Sequence, residues 1–157
     1  MSNSPTVADP EAWHRFFGSQ ANNRAWELAE LPGRNEAQTR EMVDAAHTAA
    51  WHWGHVGTEL HRMRAAMLLA QAHALAGDGP GAIAYAREMS EFFLSRPETP
   101  DWEIAFTHAI HAHAAKVAGL EAEHKRSYGL AASSVEGIED PEDKAIVLRT
   151  FRHVPAP

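Results

Sequence analysis

The chain contains no cysteine. Disulfides and thiolate-bound metal centres are therefore excluded, and packing has to hold the fold together. No run of about 18 apolar residues occurs, so neither a membrane-spanning helix nor a membrane partner is expected. Basic residues are the minority, 14 against 21 acidic ones, for a formal charge of −7. An acidic chain without a basic run gains nothing by displacing counterions from phosphates, so nucleic acid is not an expected partner. Alternating β-branched runs are missing, which removes the signature of strands. A phosphate loop, a dinucleotide fingerprint, a nucleophile elbow and a His-Glu-x-x-His motif are all absent, so no reaction is assigned and no catalytic residue is named. Met1-Ser2-Asn3-Ser4-Pro5 carries neither the basic region nor the apolar core of a secretion signal, and a cytoplasmic location is the expectation.

What remains is rich in alanine and histidine. Apolar residues make up 45% of 157, enough for the core of one domain over residues 1–157. Three times an alanine-rich stretch runs into a glycine turn and then into a second amphipathic stretch. The turns are Leu31-Pro32-Gly33, Leu75-Ala76-Gly77-Asp78 and Val117-Ala118-Gly119, their glycines 44 and 42 residues apart. A recurrence of that length predicts an all-α fold of three stacked helical hairpins with short N-terminal and C-terminal helices. Residues 1–8 are expected to be mobile, 9–152 to carry the helical repeat and 153–157 to form an extended tail.

Local signals place the helices. Asp9-Pro10-Glu11 starts one, with Gly18-Ser19 as a break before a segment ending at Pro32-Gly33. Asn35 with Gln38 forms a capping box for the next, which Gly54 and Gly57 bracket. Thr58 caps a helix through Ala76, and the Gly77–Gly81 turn opens another through Phe93. Asp101 caps a helix through Ala118, Glu121 to Val135 is its partner, and Asp140-Pro141-Glu142 starts the last, ending at Phe151.

Leu69, Ala70, Gly77 and Ala82 in the middle hairpin, and Ala112, Gly119, Tyr128 and Ala131 in the third, fall at positions that resemble the tetratricopeptide repeat. The spacing departs from the family's 34 residues. Ala66 and Ala86 also stand where the family has large residues. The resemblance implies a superhelix of hairpins over residues 20–150 that binds peptides or partner proteins in a concave groove. On the same alignment His108 falls at the family's tryptophan, His111 at its leucine, His73 at its tyrosine and His124 at an alanine. All four positions pack between helices.

Eleven histidines, nine of them between residues 47 and 124, are far above ordinary usage. Full protonation would move the formal charge from −7 to −7 + 11 = +4. Two His-x-x-His pairs, His52 with His55 and His108 with His111, each set two rings on one helix face about 5–6 Å apart at Cβ. Converging from neighbouring helices, these four could ligate zinc, nickel, copper or iron. The alternatives are interhelical hydrogen bonds or half-exposed rings, with His14, His61 and His153 solvated beside arginines. Trp51-His52-Trp53-Gly54-His55 is the densest aromatic cluster, either a helix end packed under the next hairpin or the lip of a groove.

Three functions follow as expectations, the third being a pH-responsive structural protein whose formal charge swings from −7 toward +4. The first is a scaffold binding a peptide, a protein partner or its own copy as a homodimer, with no cofactor. Its groove would be lined by Trp51, His52, Trp53, His55, His73, His108 and His111. The second is a histidine-rich protein binding a transition metal or small ligand, with His52, His55, His108 and His111 as ligands.

Overall fold

The computed structural model describes residues 8–157; the mobility expected of residues 1–7 lies outside them. Seven helices account for the fold: α1 (Pro10–Glu30), α2 (Glu36–Val56), α3 (Glu59–Leu75), α4 (Gly79–Ser95), α5 (Asp101–Val117), α6 (Glu121–Glu136) and α7 (Pro141–Phe151). No strand is present among the described residues. The fold is all-α.

The three turn glycines are the three left-handed residues of the described chain: Gly33, Gly77 and Gly119 have φ of 64°, 80° and 75°. At Gly77 the Asp78 N–H donates to the His73 carbonyl and the Gly77 N–H to the Ala74 carbonyl. Leu120 and Gly119 repeat that pair on Ala115 and Lys116. Both are the double closure that lets a helix end on a left-handed glycine. The side-chain caps expected at Asp9, Asn35, Thr58 and Asp140 all form.

Two expectations fail. Gly18 does not break α1, which runs unbroken from Pro10 to Glu30. Instead Gly18 is buried, and a Cβ there would meet the Trp53 ring at 3.1 Å. The glycine lets α2 approach. At α5, Pro100 is the N-cap residue and makes no side-chain cap, while Asp101 lies inside the first turn.

Each helix packs on its chain neighbours, and α3 also meets α1 and α5, while α5 also meets α7. Surrounded on several sides, α3 buries residues 65 to 72 without interruption, and α5 buries 105–107, 109–110 and 112–115. Alanine makes this workable, since it forms helix best and lets helices come close on every side. One core joins Phe93, Phe106, Ile110 and Val147 around α3–α5 and α7; another joins Leu28, Met42 and Leu68 across α1–α3. The tail is anchored: Val154 packs against Ala109, Ala112 and Ala131, and the His124 Nε2–H donates to the Pro155 carbonyl at 2.7 Å.

Candidate functional site

Where α1, α3, α5 and α7 face each other, a cavity of about 290 Å³ opens between Trp26, Met67, Trp102, Phe106 and Ile146. Trp26 meets Phe106 edge-on at 5.6 Å, making one wall. Arg64 and Glu103 form the polar side of the cavity, held by two parallel bonds of 2.7 and 3.2 Å. The Glu103 side chain is 3% exposed and that of Arg64 46%, so the pair reaches from core to mouth. The guanidinium lies 5.9 Å above the Trp102 ring. An ion pair at 3.6 Å between Glu30 and Arg149 links α1 to α7 beside the cavity. Around the starts of α5 and α7 the surface is acidic. The Asp143 carboxyl is pushed above its ordinary value by desolvation and by Asp140, Asp101 and Glu142.

A second, open cleft of about 640 Å³ lies between α2, α3 and α4, lined by His47, Trp51, Arg62, Tyr85 and Glu88 over Ala65, Ala66 and Leu69. Behind it His47 and His73 meet at 2.8 Å between their Nε2 atoms. Asp78 Oδ2 lies 2.7 Å from His73 Nδ1. A carboxylate only accepts, so His73 carries its proton on Nδ1 and the His47 Nε2–H donates to His73 Nε2. The Gly81 N–H and the His73 ring hold the Asp78 carboxyl below its usual range. Gly81 is part of this arrangement: a Cβ there would collide with the Asp78 carboxylate and come within 2.9 Å of His73 Nδ1.

At the opposite end of α2, His14 and His52 meet at 2.9 Å between their Nδ1 atoms, and His14 stacks on His55 at 4.5 Å. Burial first, then the nearby His14 and His55, pushes the His52 imidazole below its ordinary value. Trp51 is 60% exposed and touches all three rings. Trp53 stacks on His61 at 4.6 Å. His14 is therefore engaged rather than solvated, whereas His61 is exposed as expected, with its ring closing the α3 capping box.

From α4 the Ser90 hydroxyl donates to Nδ1 of His111 on α5 at 2.7 Å, and the His111 Nε2–H donates to Glu123 at 2.6 Å. The Arg87 bond, ahead of that from His111, holds the Glu123 carboxyl down to about 2. The residue types are those of a Ser-His-Glu relay. Ser90, however, sits inside α4 and is 7% exposed, without the free backbone N–H groups that would stabilise an oxyanion. The network ties α4, α5 and α6 together. His108, one turn away, is pushed below its ordinary value by burial and then by His111.

The seven residues expected to line one groove thus divide among different surroundings. His52 and His55 face α1, whereas His111 faces α4 and α6, so the four expected ligands do not converge. Among the described residues no group of three or more His, Asp or Glu side chains is arranged to hold a metal ion. The inner cavity escapes a reading of the sequence because Trp26, Arg64, Trp102 and Phe106 lie on three different helices, brought together by the long-range contacts of Arg64 with Glu103 and of Trp26 with Phe106. His113 escapes it too: the ring is 6% exposed, and its Nδ1 has no hydrogen-bond partner.

No protein-family model matches the chain, and no curated protein or solved structure matches it. No helix among the described residues is long and apolar enough to cross a membrane.

Proposed function

We propose that the protein is a tetratricopeptide-like interaction module of three helical hairpins, α1–α2, α3–α4 and α5–α6, closed by α7. Its occupant is a peptide segment presenting one large apolar side chain next to basic residues. The observation that carries this reading is the cavity between Trp26, Met67, Trp102 and Phe106, with the acidic cluster at the starts of α5 and α7 on the same helices as Trp102 and Ile146. The packing of α1 on α3, α3 on α5 and α5 on α7 supports a shared inner face, the surface such scaffolds use. At about 290 Å³ the cavity lies at the small end of ligand sites, which start at about 300 Å³, so it suits a single anchoring side chain. Aromatic and arginine residues in a desolvated pocket are the groups that dominate binding energy. Asp101, Asp140, Glu142 and Asp143 supply charge for a basic flank.

Basic peptides bearing a single leucine, phenylalanine or tryptophan, screened by fluorescence anisotropy at low salt, test the proposal. Binding should fall at least about tenfold in Trp102→Ala and should weaken in a Glu142→Lys, Asp143→Lys double variant. Equal affinity for acidic and basic versions of one peptide would contradict the charge assignment.

A further inference from the structure

The C-terminal half of α2 is held on both sides by bonds between neutral imidazoles. Toward α1, His52 meets His14; toward α3, His47 meets His73. In both pairs the ring centres lie about one full ring beyond the nitrogens, 5.1 and 5.0 Å apart. The nitrogens therefore meet head-on, as in an N–H···N bond with one proton between them. A first added proton can be shared by such a pair. A second puts an N–H on both facing nitrogens, which removes the acceptor and sets two positive charges within about 3 Å.

We propose that residues 47–56 of α2 form a pH-operated latch, closed while each imidazole pair holds one bridging proton and released when both rings of the pairs are protonated.

The groups around each pair set the direction of the response. His52 faces His14 across the α1 interface and His55 along its own helix, so the groups around it are histidines with no carboxylate among them. His47 faces His73, with Asp78 behind it at the α3–α4 turn, Asp44 on its own helix, and Arg62, Tyr85 and Glu88 in the shared cleft. Burial first, then the paired histidines, lowers both His47 and His52 below their ordinary values. The contacts are thus intact above the ordinary histidine range and are lost as pH falls below it.

The N-terminal half of α2 has no such dependence. Arg24 of α1 makes two bonds of 2.6 and 3.1 Å to Glu41, and Met42 and Ala46 are fully buried. Both ionic partners stay charged from pH 8 to 5. Release is accordingly confined to the end bearing Trp51 and Trp53, and it uncovers the surface that Trp53 buries against Gly18.

Hydrogen exchange of the full chain at pH 7.5 and 5.0, corrected for intrinsic rates, tests the latch. Protection of residues 47–56 should fall at least about tenfold more than that of residues 36–46 and of α3. A uniform change along α2, or none, overturns the proposal. Combining His14→Asn, His52→Asn, His47→Gln and His73→Gln keeps amide hydrogen-bonding groups that do not titrate, and it should abolish the difference; persistence of the difference also overturns it. Imidazole nitrogen NMR of the unmodified protein is decisive even if that variant fails to fold. Each pair should titrate in two separated steps, whereas four independent curves at the ordinary value contradict the latch.

Discussion

Burial of His113 makes acid the perturbation with the best-defined size. The ring lies on α5, 6% exposed, and burial, followed by the like charges of His153, His124 and Arg34, lowers its pKa from 6.5 to about 4. The unfolded chain therefore binds a proton at a pH where the folded chain refuses it. The stabilisation associated with neutral His113 is fully present above about 6.5, falls by about 1.4 kcal/mol per pH unit below that, and levels off near pH 4. Across that window about 3 kcal/mol is lost, a large share of the 5–15 kcal/mol typical of a domain. Urea unfolding of the unmodified protein and of His113→Leu, at pH 7.5, 6.5, 5.5 and 4.5, isolates the term. Leucine also removes the unpartnered Nδ1, so the variant should equal or exceed the parent at neutral pH and gain on it steadily below 6.5. Parallel stability curves for the two proteins would refute the assignment.

Other consequences are simpler to test. Arg64→Ala strands the buried Glu103 carboxylate and should cost about 3 kcal/mol in urea unfolding; adding Glu103→Met should recover most of it. Gly77→Ala forces a side chain into φ +80° and should destabilise by about 1 kcal/mol or more. Gly129→Ala, inside α6 where an added methyl would meet nothing within 4 Å, should instead stabilise by about 0.5–1 kcal/mol. Ser90→Ala should cost about 1 kcal/mol by leaving His111 Nδ1 without its donor, read as a shift in the unfolding midpoint.

The helices were legible in the sequence because their ends are local events. A cap, a proline in the first turn or a left-handed glycine acts within about five residues, and Asn35, Thr58, Asp140, Gly77 and Gly119 all behave as their neighbours dictate. Gly18 misled because its reason is not local: the residue that needs the space is Trp53, on another helix. The histidines divide the same way. The resemblance places His73, His108, His111 and His124 between elements; His73 and His111 bond to other helices and His124 to the tail, while His108 is half-buried beside His111. Which rings would pair, His14 with His52 and His47 with His73, depends on helix rotation that no spacing within one helix reveals. The inner cavity is the extreme case, assembled from residues as far apart as Trp26 and Ile146.

Five tryptophans, Trp13, Trp26, Trp51, Trp53 and Trp102, give five indole N–H signals, and they sample both ends of the molecule. Titrating the nitrogen-labelled protein with the tightest basic, single-anchor peptide is the most direct test of the proposed module. The signals of Trp26 and Trp102 should shift together and saturate at one equivalent, with Trp51 and Trp53 unmoved at pH 7.5. Saturable shifts at Trp51 and Trp53 with Trp26 and Trp102 unchanged would contradict the account.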